Sequence, residues 1–250
     1  MSEADPQFLP TPKHRLAYRA IRGEGPPVVW CGGFGSDMDS TKAQALAEWA
    51  EARGRAYVRF DYSGHGLSEG RFADGTIGQW YGDACAIIEA LCDEAPIIVG
   101  SSMGGWIALL VTRALAGTPR APKGLVLIAP AVDFTEELMW AHFTDEMRAQ
   151  IERDGEWKRP SIYGDPLPIT RALIEDGRQH LLFKGPIATH CPVHILQGMQ
   201  DPDVPWKHAM RLVEHLPGDD VTTTLIRDGD HRLSRPQDIE KLLQAVEGIV

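Results

Sequence analysis

The chain has 250 residues, 43% of them hydrophobic, and its 25 Lys and Arg against 35 Asp and Glu leave a formal charge of −10. A chain of this length buries roughly 70 to 75% of the surface it exposes unfolded, so it needs no disulfide or metal staples, and one domain over residues 1–250 accounts for it. The charge argues against nucleic acid or anionic lipid as a partner, since both are gripped by clustered Lys and Arg.

The opening run MSEADPQFLP carries acids and no apolar core, which excludes a secretory signal and fits poorly with an acid-poor transit peptide. No apolar stretch nears the roughly 18 residues of a membrane span, so a cytoplasmic protein is expected. Further along, short β-rich runs alternate with helix-length amphipathic segments. VVW near Val28 precedes a helix from about Ser40 to Arg53, and AYVRF from Ala56 precedes one from about Ile77 to Leu91. PIIVG at Pro96 leads to a helix over Met103 to Leu115, followed by GLVLIAP at Gly124, VHILQG at Val193, TTTLIRD at Thr222 and a last helix near Pro236 to Val250. This alternation predicts an α/β fold with a mostly parallel central sheet covered by helices on both faces.

The rhythm breaks between Asp133 and Thr189, where no strand is evident and Met139, Trp140, Phe143, Met147, Trp157 and Tyr163 are scattered among charged residues. An insertion here falls above the carboxyl edge of the sheet, where ligands bind in open α/β folds, so a small helical lid over about 133–189 is expected. Cys31, Cys85, Cys92 and Cys191 show no CxxC pair, as suits a reducing compartment. His190, Cys191 and His194 form one short run leading into a strand rather than a metal site, and no cofactor is expected.

IIVGSSMGGW places Gly100, Ser102 and Gly104 as GxSxG between an apolar strand and a helix, the context of a nucleophile elbow. The glycines let the chain reverse within a few residues, and Ser102 projects from the turn. A phosphate loop is the rival, but GxxxxGK[ST] is absent. A serine hydroxyl needs a base in hydrogen-bond reach and an acid that orients the base. With such an elbow, the acid and then the histidine follow the serine in sequence. Of the nine histidines, His231 stands in a loop, RDGDHRLSRP, just past the last strand. For the acid, Asp201 follows the strand VHILQG directly and is favoured, while Asp203 and Asp133 are rivals. Oxyanion stabilisation takes a second N–H donor. Met103 supplies one, and the Gly-Gly-Phe-Gly turn after VVWC offers Phe34 as the other. The same turn fails as a dinucleotide fingerprint, because Met38 stands where the third glycine of GxGxxG belongs.

Together these motifs resemble the α/β-hydrolase superfamily over nearly the whole chain. The runs STKAQAL, RFDYSGHGLSEG, VGSSMGGW and GMQDPDVPW are similar to those of mitochondrial serine hydrolases that act as palmitoyl-protein thioesterases and mycophenolic acid acyl-glucuronide esterases. The resemblance implies Ser102 as nucleophile, Asp201 as acid, His231 as base, a compact lid, and small-molecule acyl ester or thioester substrates. Asp61, Gly64, His65 and Ser68 are expected to build the DYSGHGLSEG loop. Trp106, Met139, Trp140 and Phe143 are candidate lining of an apolar acyl pocket beside Phe34. The expected activity is carboxylic ester hydrolysis, with thioester hydrolysis as the alternative and a non-catalytic hydrolase-fold binding protein as the remaining one.

Overall fold

The computed structural model describes residues 5–160, 166–218 and 220–250. Tyr163 and the first four residues lie outside them. In chain order the elements are β1 (Gln7–Pro10), β2 (Arg15–Ile21), β3 (Glu24–Cys31), α1 (Thr41–Arg53), β4 (Arg55–Phe60), α2 (Ile77–Leu91), β5 (Ile97–Ser101) and α3 (Met103–Leu115). After these come β6 (Gly124–Ile128), α4 (Asp145–Asp154), β7 (Glu156–Arg159), β8 (Leu167–Thr170), α5 (Arg171–Gly177), β9 (Val193–Gly198), α6 (Trp206–His215), β10 (Val221–Ile226) and α7 (Pro236–Glu247).

β1, β2, β4, β3, β5, β6, β9 and β10, in that spatial order, form one eight-stranded sheet. From β4 to β10 neighbouring strands are parallel, whereas β1 pairs antiparallel with β2 and β2 with β4, with Tyr18 opposite Phe60. Alternate residues of the central strands feed two separate cores. Val29, Ile98, Leu125, Leu127 and Ile195 pack with Ile87, Trp80 and Ile107 of α2 and α3 and with Leu212 of α6. Val28, Ile97, Val99, Val126 and Leu196 meet Leu46 and Trp49 of α1 and Leu242 and Val246 of α7 on the other face. Burial on both faces is why these strands read as continuous apolar runs rather than alternating ones. Local signals agree with the tertiary ones: the Thr76 hydroxyl accepts the Gln79 N–H at 3.3 Å to start α2, and Pro236 opens α7.

Residues 133–189 depart from the expectation in one respect. A π-helical turn at Thr135–Met139, a 3₁₀ turn at Trp140–His142, α4 and α5 are helical, but β7 and β8 form an antiparallel hairpin between them. EWKR and LPIT are short, and β7 is half exposed, so neither carries the apolar run that marked the central strands. The hairpin lies toward the sheet's carboxyl edge: a Cβ on Gly35 would touch Leu167, and Arg159 Nη2 donates to Asp203 Oδ1 at 2.8 Å.

Candidate active site

β5 ends at Ser101 and α3 begins at Met103, so the chain turns at Ser102, whose φ of +54° and ψ of −118° lie where side chains are disfavoured. Such backbone costs about 1 to 3 kcal/mol and persists only where the surroundings hold it. Here the Ser102 N–H donates to the Ile128 carbonyl at 2.8 Å, and the Ser102 carbonyl accepts from Gly105 at 2.9 Å and Ala131 at 3.1 Å. A Cβ at Gly100 would run into the Gly104 carbonyl, and one at Gly104 into the Cys31 carbonyl. Both glycines of GxSxG are therefore spatial requirements, Gly100 for the strand-to-helix turn itself and Gly104 for its close approach to the end of β3. Ser102 occupies the N-cap position of α3 without making a side-chain cap bond. Its hydroxyl instead reaches His231 Nε2 at 3.1 Å.

His231 Nδ1 lies 2.7 Å from Asp201 Oδ2. A carboxylate only accepts, so Nδ1 carries the proton and Nε2 is left to accept from the Ser102 hydroxyl. The His231 side chain is 23% exposed and that of Asp201 not at all. Asp201 Oδ1 accepts the N–H groups of Asp203 at 2.9 Å and Val204 at 2.8 Å, and Oδ2 accepts from Gln197 Nε2 at 3.3 Å. These bonds lock the carboxylate in the orientation that meets the imidazole. The loops carrying the two residues touch through main chain, because Gly198 lies against the Gly229 and Asp230 carbonyls.

The two rival acids are engaged elsewhere. Asp203 pairs with Arg159. The Asp133 carboxylate accepts the N–H groups of Leu182 at 2.8 Å and Phe183 at 2.9 Å, and burial holds its pKa above the ordinary value. Asp201, Asp203 and His231 bring ligand-type atoms within 4.8 Å of one another, yet two of the three are already bonded as acid and imidazole and the third is held by a guanidinium. His190, Cys191 and His194 are not gathered into such a group among the described residues.

The N–H groups of Phe34 and Met103 meet no acceptor among the described residues. The neighbouring Gly35 N–H is held: it donates to His65 Nε2 at 3.2 Å, while His65 Nδ1 donates to the Ser63 carbonyl at 3.4 Å.

The sequence matches the model described as the alpha/beta hydrolase family over residues 17–242. The chain belongs to the alpha/beta hydrolase family. It is 33% identical over 237 residues to the Homo sapiens protein named palmitoyl-protein thioesterase ABHD10, mitochondrial, covering 94% of this chain and 76% of that one. Among solved structures, it is similar to a putative hydrolase from Agrobacterium vitis S4 with a TM-score of 0.94 and 45% identity, over 98% of each chain. It is also similar to alpha/beta hydrolase domain-containing protein 10 from mouse, with a TM-score of 0.89 and 33% identity, again over 98% of each.

In this hydrolase the candidate pocket residues fall into two groups. Trp106 has no exposed surface: its Nε1 donates to the His180 carbonyl at 3.3 Å and its ring packs edge-on to Phe134, 5.7 Å between centroids. Met139 is likewise in the core. Half-buried Trp140 and Phe143 continue through Trp157 as an aromatic chain in the insertion, with Arg148 and Arg178 over the Trp140 ring. What meets Phe34 directly is Phe72 at 4.9 Å, Phe134 at 5.6 Å and Trp80 at 5.8 Å. The sequence reading missed all three, although Phe134 stands past the end of β6, at the sheet edge where ligands bind. Gln197 was missed too, and its signal was a polar residue at the buried end of VHILQG. A depression of about 530 Å³ between Arg71 and Asp74 on one side and Gln150, Glu156 and Trp157 on the other is lined by none of Ser102, Asp201 and His231.

His65 does what was expected of it, bracing the hydrolase's DYSGHG loop. Its ring packs edge-on to Phe72 and Trp80, and burial pushes its pKa down to about 4. The folded protein leaves the imidazole neutral to about pH 4, whereas the unfolded chain takes up the proton below about pH 6.5. The unfolded state binds more protons across that window, so stability falls as pH drops through it, by about 3 kcal/mol for a shift of this size. Burial lowers His208 in the same direction. Thermal unfolding followed between pH 6.5 and 4 should show this slope, and His65→Gln should flatten it.

Proposed function

We propose that this chain is a serine hydrolase that cleaves carboxylic esters through an acyl-enzyme on Ser102. The observation that carries the reading is the unbroken relay from the Ser102 hydroxyl through the imidazole of His231 to the buried carboxylate of Asp201, 3.1 and 2.7 Å. In the first step His231 Nε2 takes the Ser102 proton as Oγ attacks the acyl carbonyl. The resulting oxyanion is held by the main-chain N–H groups of Phe34 and Met103, a contribution of about 10² to 10³ in rate per donor. The imidazolium, steadied by Asp201, gives its proton to the departing alcohol. Water, deprotonated by the same nitrogen, then releases the acid and restores Ser102.

Thioester hydrolysis is the second reading, favoured by the name of the human relative. The chemistry differs only in the leaving group, a thiol that departs with less help from the acid. The substrate in either case is a small acyl compound, and the aromatic side chains of Phe34, Phe72 and Phe134 support an apolar acyl group beside the elbow. Residues 133–189 act as the lid of a single hydrolase domain. A reducing compartment, cytoplasmic in our reading, is supported by the four free thiols, although the relative's name places that protein in mitochondria. No described helix is long and apolar enough to cross a membrane.

A fluorophosphonate probe followed by peptide mass analysis tests the nucleophile: the adduct is expected on the Ser102 peptide, and an unlabelled protein or an adduct on another serine overturns the reading. A chain-length series of p-nitrophenyl esters beside acyl-CoA and acyl-cysteine thioesters then separates esterase from thioesterase by the ratio of kcat/KM values.

A further inference from the structure

The STKAQAL run has had no part in the chemistry so far, yet its lysine is in an unusual place. Lys42 is the second residue of α1 and only 8% exposed. Its ammonium donates to the main-chain carbonyl of Arg232 and to Ser234 Oγ, the latter at 3.4 Å. The Ser234 hydroxyl donates to the same carbonyl at 3.0 Å. Arg232 directly follows His231. The next residue, Leu233, is buried with φ at +44°, a conformation its side chain disfavours, and its N–H donates to Asp230 Oδ1 at 2.9 Å. The loop is thus tied down on both sides of the imidazole. α1 also continues from the loop bearing Phe34, which is anchored where the Met38 N–H donates to Asp61 Oδ1 at 2.7 Å. Lys42 therefore joins the segment with one expected oxyanion donor to the segment with the base.

A methionine or leucine would fill this site without the desolvation that a buried ammonium suffers. The charge has to be explained by what it holds. We propose that Lys42 is a positioning residue, its ammonium fixing the Arg232 carbonyl and with it the direction of the His231 imidazole toward Ser102. The inference rests on the reading of His231 as the base. The charged groups facing the ammonium are Arg232 and Asp230 from the His231 loop and Asp238 from α7. Burial first, then Arg232, bring the Lys42 pKa down to about 8 against the opposing pull of the two aspartates. Above that pH the amine is neutral, and its hold on the carbonyl weakens because an uncharged donor bonds less strongly.

The test compares wild type, Lys42→Met, Ser234→Ala and His231→Ala by melting temperature and by kcat and KM on a p-nitrophenyl ester between about pH 6 and pH 9.5. Lys42→Met should lower kcat about 10 to 100-fold through misplacement of the base, with KM nearly unchanged and a melting temperature no lower than that of wild type. Wild-type kcat should fall at least about threefold across the upper part of the range as Lys42 loses its proton, while Lys42→Met stays flat there. Ser234→Ala, which keeps the lysine, should lose a smaller part of kcat. Wild-type kcat in Lys42→Met, or a loss that keeps the wild-type pH profile, overturns the proposal. If Lys42→Met does not fold, Ser234→Ala and the wild-type profile decide, and an unchanged kcat in the first with no alkaline fall in the second overturns it. An active His231→Ala would instead remove the reading of the base itself, so the two failures are told apart.

Discussion

Ser102→Ala should lower kcat/KM on an activated ester by about 10⁶-fold, His231→Ala by a similar factor, and the double variant no further, because each substitution alone abolishes the same proton-coupled attack. Asp201→Asn should cost about 10⁴-fold, since an amide favours the wrong imidazole tautomer and cannot steady the imidazolium. Ser102 makes no cap bond to α3 and the His231 side chain is partly exposed, so both alanine variants should melt close to wild type. Steady-state kinetics with a thermal melt on the same preparations checks this. Losses that add in the double variant, or an active Ser102→Ala, would mean that these side chains do not act as a unit.

The second large effect is structural. In Gly104→Ala the added methyl group would overlap the Cys31 carbonyl oxygen and stand 2.6 Å from the Gly32 carbonyl oxygen. Both are main-chain atoms at the end of β3, so relief requires β3 and α3 to part. Overpacking of this kind costs about 3 kcal/mol and can cost more, which lowers the melting temperature by about 6 to 12 °C in a chain of this size. Activity should fall further than stability alone explains, because the atoms that move belong to the turn before Phe34 and the turn at Met103. Gly82→Ala in α2 is the control. A Cβ there meets nothing within 4 Å, and the exchange should leave stability unchanged or raise it by up to about 1 kcal/mol. Equal melting temperatures for the two variants would show that the elbow tolerates the volume after all.

How far the sequence could be read depended on how each residue is buried. α2 and α3 run from Ile77 to Leu91 and from Met103 to Leu115, the bounds their apolar patterns predicted. β5, β6 and β9 were legible because strands covered on both faces must be apolar throughout. β1 and β2 were not. RLAYRAI sets two arginines among apolar residues with no regular alternation at the antiparallel end of the sheet, and a partly buried strand of this kind carries too weak a period to separate from a loop. The β7–β8 hairpin escaped notice for the same reason.

GxSxG and its strand-to-helix setting made Ser102 a candidate from local sequence, since Gly100 makes room for a carbonyl only four positions on, whereas Gly104 makes room for β3, far away in the chain. His231 was reached by its place after the last strand. Which aspartate meets it was a matter for tertiary structure: Asp201 and Asp133 both follow strands, and only the fold shows the first against the imidazole and the second spent on the Leu182 and Phe183 N–H groups. The bond from Gln197 to Asp201, the contact of Phe134 with Phe34 and the tie from Lys42 to Arg232 belong to the same class. The physical reason is distance along the chain. A periodic pattern records which face of an element is buried, while a bond across 190 residues, as between Lys42 and Arg232, leaves no pattern at either end until the sheet brings the two loops together.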